Sequence, residues 1–396
     1  MPVAEAYYRG FEQGPIRPPS EARSLLIRVT RNCPWNRCRF CPVYKDADFS
    51  RRPLAHVLAD IEAVAAWVET FAPGAVRRPP AQDASGRAAP SGPAAPSGLP
   101  APSGPPLDPG AENAAWNWYR SGMKSVFLQD ANPLAVPPAE MTGILSLLKE
   151  RFPGIERITT YARSRTVARI EPEDLARMRA AGLDRVHIGF ETGSDEILRF
   201  MDKGVTKALQ IEGGRKIKAA GMQLSAYYMP GLGGRRLWRE NALETADLMN
   251  QVDPHFIRLR TLAIPDHLAL AEDVAQGRFE KANDVETAQE ILLFLESLEG
   301  ITSTVVSDHI LNLFEDVGGK LPGDRDAMAA EIRAFLALES DEQVLYRVGR
   351  RSGLFRGLSD LSDPQRSDRA RRLVGELNAT PGNVDAVTDQ MAKRFI

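Results

Sequence analysis

The sequence predicts an α/β chain, and three observations carry that expectation. Short apolar runs recur at residues 25–29, 125–128, 157–161, 185–190, 223–229 and 256–263. Each of the first five is followed by a stretch with helical apolar spacing, the pattern of β/α units. The chain has 396 residues and is 43% apolar, enough for one large α/β domain plus a smaller one. Strands separated by helices pair in parallel. Six such units could close partly into a barrel or spread as an open doubly wound sheet, and periodicity does not choose.

Taken in order, residues 1–23 read as an irregular lead-in, because Pro15, Pro18 and Pro19 prevent long helices. The first strand follows. Residues 53–71 place Leu54, Val57, Leu58, Ile61, Val64 and Val68 at helical spacing. Residues 73–112 repeat Ala-Pro-Ser-Gly and hold almost no large apolar side chain. Such a tract cannot offset its ordering entropy by burial, so it reads as a disordered Pro/Ala/Ser/Gly insertion. Helices are expected at 138–151, 173–181, 207–220 and 237–251, between the later strands. Residues 24–265 thus form a β/α core interrupted by the insertion. Residues 266–396 read as a helical C-terminal extension, with helices near 285–298 and 325–338 and a loosely held end from 357.

Composition narrows the class. Lys+Arg is 50 and Asp+Glu is 52, so the chain has no global electrostatic signature of a nucleic-acid binder, and nucleic acid is not an expected partner. No run of about 18 apolar residues is present, so no membrane helix is expected. Residues 1–10 lack the apolar core of a secretory signal. A cytoplasmic protein is the expectation. The chain has 3 cysteines. A bridge within so short a loop would staple little of the chain, so a ligand role in a reducing compartment is the better reading.

The cysteines stand in Thr30-Arg-Asn-Cys33-Pro-Trp-Asn-Arg-Cys38-Arg-Phe-Cys41-Pro, directly after the first strand, spaced C-x4-C-x2-C. Three close thiolates can ligate three irons of a cubane cluster. With no fourth cysteine, the last iron must carry a non-protein ligand, water, or a residue such as His or Asp. Zinc is the alternative; its fourth ligand would be His56, His187, His255, His267 or His309, none at the usual spacing after Cys41.

The loop resembles the cluster loop of the radical SAM superfamily, where C-x3-C-x2-C is usual and an aromatic residue precedes the third cysteine, as Phe40 does here. One extra residue stands between Cys33 and Cys38. The segment is similar to uncharacterised radical SAM proteins whose loop reads Thr-Arg-x-Cys-Pro-Trp-Asn. Later segments extend the resemblance over roughly residues 15–75 and 113–265. Gln129-Asp-Ala-Asn-Pro133 stands where the family has a motif, often Gly-Gly-Glu, that binds the amino group of S-adenosylmethionine (SAM). Asp130, Ala131 and Asn132 match it in place, and Asp and Asn also suit a plain strand-end turn. Gly189-Phe-Glu191-Thr-Gly-Ser194 is similar to the Gly-x-Glu-x-Gly-Ser of the elongator-like and methylthiotransferase-like group. Glu191 suits a sugar diol or the SAM ammonium, while Ser194 reads as a helix cap. Lys203-Gly-Val-Thr and Met229-Pro-Gly231-Leu continue the resemblance, Gly231 allowing close backbone approach to a ligand. Tyr161, Arg163, Arg258 and Arg260 are candidate polar contacts or members of structural ion pairs. His309 is a further candidate, read first as structural.

The resemblance implies a partial (β/α)6 TIM-like barrel and an enzyme that holds a [4Fe–4S] cluster on Cys33, Cys38 and Cys41. SAM would chelate the open iron. An electron donor such as a flavodoxin or ferredoxin would reduce the cluster. SAM would then split into methionine and a 5′-deoxyadenosyl radical that takes hydrogen from the substrate. No cysteine remains for an auxiliary cluster or a cysteine-bound intermediate, and no long N-terminal domain is there to hold cobalamin. A small-molecule or peptide substrate is expected. The competing readings are a non-catalytic iron–sulfur protein for electron transfer or redox sensing, and a zinc-stabilised binding module.

Overall fold

The computed structural model describes residues 7–77 and 108–393. The chain separates into two compact units, one of Met1–Pro34, Asp48–Tyr161 and Ile170–Arg185, the other of Trp35–Ala47, Ala162–Arg169 and Val186–Ile396.

The first unit begins with β1 (Leu25–Arg28), β2 (Thr30–Arg31), β3 (Ser50–Arg51), α1 (Leu54–Phe71), α2 (Pro109–Arg120) and β4 (Ser125–Gln129). It continues with α3 (Pro138–Arg151) and β5 (Arg157–Ala162). The strand order is β1-β4-β5, all parallel, with Leu25 beside Val126 and Val126 beside Ile158. Every residue of β4 after Ser125 is buried. A continuous apolar run suits a parallel strand covered on both faces. β2 and β3 form a separate antiparallel pair, Thr30 beside Arg51. The helices α2 and α3 both pack on α1, and Val57, Ile61, Val64 and Val68 put the predicted apolar stripe of α1 inside.

Part of the stretch read as a disordered insertion is ordered. The α2 helix starts at Pro109, with the Asp108 carboxylate accepting from the N–H groups of Gly110 and Ala111. Proline at the first position and aspartate as cap are a helix start that the neighbouring Pro/Ala/Ser/Gly tract masked. Residues 78–107, most of the tract, lie outside the described residues.

After β5 come α4 (Ser164–Ala168), in the second unit, and α5 (Pro172–Ala180), in the first. β6 (Leu183–Glu191) follows, its residues from Val186 on belonging to the second unit. Then come α6 (Asp195–Phe200), α7 (Lys207–Ala219), β7 (Gln223–Tyr228), α8 (Gly234–Val252) and β8 (Phe256–Leu259). These are the expected β/α units, and the α/β class and its parallel pairing hold. The sixth strand is shorter than expected: it ends at Leu259, and Thr261 N–H donates instead to the Asn312 side chain at 3.1 Å.

The remainder is α9 (Ala269–Ala275), α10 (Asp284–Glu296), β9 (Thr304–Val306), β10 (Gly319–Lys320), α11 (Arg325–Leu336), α12 (Ser340–Arg351), α13 (Pro364–Glu376) and α14 (Val384–Ala392). The extension is mostly helical, as expected, but β9 pairs parallel with β8 and antiparallel with β10, giving the order β6-β7-β8-β9-β10. The stretch from residue 357, expected to be loosely held, is packed. Val384 and Met391 of α14 meet Val344 and Val348 of α12 in one buried cluster. Its helices are polar outside that seam, which is why composition alone underrates it.

Candidate active site

In the first unit, the chain leaves β1 at Arg28 and turns through Asn32, whose φ of 65° lies in the left-handed region that Asn tolerates. Cys33 follows, partly exposed. Asp130, at the end of β4, is fully buried. Its Oδ2 accepts from Arg28 Nε at 2.9 Å, from Arg28 Nη2 at 2.7 Å and from the Asn32 backbone at 3.1 Å. The backbone just ahead of Cys33 is therefore tied to the end of β4. Ala131 is half-buried, and Asn132 is buried at the start of a 3-10 turn over Pro133–Ala135. Arg28 also bonds Glu12 at 2.7 Å, which Arg31 and Arg52 share. Burial pushes the Glu12 carboxyl up, but these guanidiniums outweigh it and hold the group below its usual value.

In the second unit, residues 35–47 are fastened at several points. Trp35 Nε1 donates to the Asp202 carbonyl at 2.6 Å, and Arg39 N–H donates to the Met201 carbonyl at 3.0 Å. Arg39 Nη1 meets the buried Asp273 at 2.7 Å. Lys45 Nζ donates to the Cys38 carbonyl at 2.9 Å, setting a positive charge on the cysteine segment. Phe40 is only 7% exposed and packs with Ile197, Met201, Leu232 and Leu270. Cys38 and Cys41, both partly exposed, lie against that cluster.

The end of β6 is built around Glu191. Its φ of 66° turns the carboxylate back, and a Cβ on Gly189 would stand 2.1 Å from Glu191 Oε1. Glycine at 189 is what leaves the carboxylate its place. Lys203 Nζ donates to Glu191 Oε1 at 3.3 Å and lies 5.5 Å from the Phe40 ring centre. Arg163 Nη2 donates to the Lys203 carbonyl at 2.8 Å, and its guanidinium lies over Trp35. Gly204, with φ of 69°, lies so close to Trp35 that a Cβ there would be 2.5 Å from the ring. Ser194 is the cap it was read to be: its Oγ accepts from Ile197 N–H at 3.1 Å.

Gly231 follows β7 with φ of 86° and donates its N–H to Glu290 Oε2 at 3.0 Å. Glu290 Oε1 also accepts from Tyr228 Oη at 2.7 Å and from Asn241 Nδ2 at 2.6 Å. Burial drives this carboxyl up to about 8 against three donors that pull it down. Tyr228 is raised as well, by its own burial and by the neighbouring carboxyl.

Other expected contacts lie elsewhere. Arg258 and Arg260 share Asp308, at 2.5 and 2.7 Å, which is the ion-pair role. Tyr161 meets Phe127 edge-on at 5.1 Å in the first unit. His309 is lowered to about 4, by burial and then by Arg260. Sequence reasoning missed Arg28 under Asp130, Lys203 as the partner of Glu191, and Glu290 behind Gly231. Only Lys203 carried a signal, in its Lys-Gly-Val-Thr motif. Glu290 stands on an amphipathic helix, where a glutamate reads as solvated.

Three cysteines in one short stretch of sequence are the ligand type that an iron–sulfur cubane takes. Three thiols stand in one short loop with no disulfide among them, and Cys38 and Cys41 rest on apolar side chains that limit water. Among the described residues, no three His, Cys, Asp or Glu side chains gather closely enough for a single metal ion. A cubane spreads its thiolates over separate irons instead. Among the described residues, no helix is long and apolar enough to cross a membrane.

Residues 111–246 match the family model described as Radical SAM superfamily. Comparison with curated proteins yields no match. Among solved structures, the chain is similar to Elp3 of the archaeon Methanocaldococcus infernus, at 15% identity over 46% of each chain with a TM-score of 0.37. It is similar to the radical S-adenosylmethionine methyltransferase TsrM of Kitasatospora setae, solved with cobalamin and a [4Fe–4S] cluster, at 15% identity over 64% of this chain and 37% of that one, TM-score 0.41. A third is coproporphyrinogen III oxidase of Escherichia coli, at 13% identity over 83% of this chain and 74% of that one, TM-score 0.43. The chain thus spans about half, or less, of the first two proteins' length. Residues 111–246 are thus similar to the radical SAM superfamily, whose enzymes bind a [4Fe–4S] cluster and S-adenosylmethionine.

Proposed function

We propose that the chain cleaves SAM reductively and uses the resulting radical on a small-molecule or peptide substrate. Cys33, Cys38 and Cys41 would hold the cluster. When bound, cluster and SAM together supply one-electron cleavage to methionine and a 5′-deoxyadenosyl radical that takes hydrogen from the substrate. The chain's own residues bind and orient. The observation that carries the reading is the Glu191 carboxylate at the end of β6, held by Lys203 and given room by Gly189. A carboxylate at a strand's C-terminal end binds a ribose diol or an ammonium by charge-assisted hydrogen bonds. Asp130, Ala131 and Asn132 would face the SAM amino group, Phe40 and Gly231 would bound the ligand, and Arg163 would steady the segment around Trp35. Residues 24–265 would form the catalytic core with an insertion at 73–112, and 266–396 the extension. The electron donor would be a flavodoxin or ferredoxin in the cytoplasm.

The test is anaerobic reconstitution with iron and sulfide, then SAM and a reductant. 5′-Deoxyadenosine is expected from the wild type. Glu191→Gln should keep its iron and lower the yield at limiting SAM by about tenfold, the scale of one charge-assisted hydrogen bond. Cys38→Ala should lose the cluster. A wild-type protein that fills with iron and makes no 5′-deoxyadenosine would overturn the enzyme reading in favour of an electron carrier.

A further inference from the structure

A cavity of about 400 Å³ opens within the second unit beside Gly231. That volume is in the range of small-ligand sites. Leu262, Ala271 and Val274 give it an apolar wall, and Arg347 and Arg351 of α12 line it as well. Both arginine side chains are more than nine-tenths buried, at 5% and 7% exposure. Asp284 lies between them, accepting from Arg347 Nε at 2.9 Å and from Arg351 Nη2 at 2.7 Å. Burial pushes the Asp284 carboxyl up, but the two guanidiniums win and hold it far below its usual value. One carboxylate between two guanidiniums leaves one positive charge over.

The second anion comes from α14. Asp385 accepts from Arg347 Nη2 and, at 3.3 Å, from the Asn283 amide. Unlike Asp284, it is half exposed, at 49%. Arg351 Nε, meanwhile, is buried with no hydrogen-bond partner. A buried charged donor without an acceptor is costly, and native proteins rarely leave one so. The wall thus holds a half-exposed carboxylate on a buried guanidinium, side by side with apolar surface.

We propose that this cavity binds a small organic acid with an apolar body, its carboxylate taking the place on Arg347 that Asp385 holds and reaching Arg351. The Asp385 side chain is then the latch that the ligand displaces, with α14 staying on its seam. The site uses no residue of the cysteine loop, and of the residues proposed to contact SAM only Gly231 lines it, so the titration is run without SAM.

Calorimetric titration of the full-length, anaerobically purified protein with hexanoate, acetate and inorganic phosphate tests it. Hexanoate should bind more tightly than the other two, and about tenfold more tightly to Asp385→Asn than to the wild type. Asp389→Asn cuts the pair that α14 makes with Lys281 but leaves Arg347 engaged, so it should bring no gain. Arg347→Lys keeps the charge, loses the guanidinium fork, and should weaken hexanoate at least tenfold in an otherwise unchanged chain. The proposal is overturned if hexanoate binds neither protein, if Asp389→Asn gives the same gain, or if Arg347→Lys binds as the wild type does. A protein that makes no 5′-deoxyadenosine leaves this titration fully readable.

Discussion

At Glu290 three donors converge on a carboxyl sealed from water, and each fastens a different element. Tyr228 closes β7, Gly231 belongs to the turn after it, and Asn241 stands on α8. Glu290→Gln should cost about 1–3 kcal/mol, because the amide NH2 must face one of these donors. Urea denaturation of the two proteins checks this. Gly204→Ala should cost a similar amount, about 1–3 kcal/mol, since it adds left-handed strain and a contact with Trp35. The measurement is a thermal midpoint that falls by several degrees. The two residues differ in legibility. Gly204 stood in a motif beside a lysine, whereas Glu290 is flanked by Ile291 and carries nothing local that announces a buried acid. Its role comes from what tertiary packing places over it.

At the scale of elements, long helices and covered strands were readable because their apolar periodicity is strong. The helix Pro138–Arg151 has the bounds expected of it. The short pieces were not. β9 has three residues and β10 two, too few for any period to appear. Helix α2 was hidden because its first turn continues a low-complexity tract. The polar helices α13 and α14 were underrated because their seam is narrow: Val384 and Met391 are the buried apolar side chains that fix α14 to α12. Met391→Ala should therefore loosen this one element, at a cost of about 2 kcal/mol. Amide hydrogen exchange should quicken in α14 while α1 stays protected; equal exchange in both proteins would count against the seam.

For the whole molecule, a buried and a half-buried titrating group give opposite pH slopes. Glu290 is raised from 4.5 to about 8, so its contribution is fully present below pH 4.5 and is lost as pH climbs to about 8. His309 is lowered from 6.5 to about 4, so its contribution is present above pH 6.5 and is lost as pH falls to about 4. Between about pH 6.5 and 8 only the Glu290 slope of this pair remains. Urea midpoints of the wild type should fall across that window, and those of Glu290→Gln should stay flatter. The class of the molecule was legible from the alternation of strands and helices, and the cysteine loop from its spacing and its uniqueness. The division into two units was not, because the chain crosses between them five times within residues 1–190 before staying in the second, and such crossings leave no mark on composition.

Trp35 lies between Cys33 and Cys38 in the chain, its ring flanked by Arg37 at 5.1 Å and Arg163 at 5.2 Å. It is one of 5 tryptophans, and Cys38 and Cys41 share its unit. Iron–sulfur chromophores absorb where indole emits. The loop therefore carries its own optical gauge: filling of the cysteines would darken Trp35 first, and Trp35→Phe would remove that part of the signal. Assembly and loss of the proposed cluster would then be readable by light, in real time, without iron analysis.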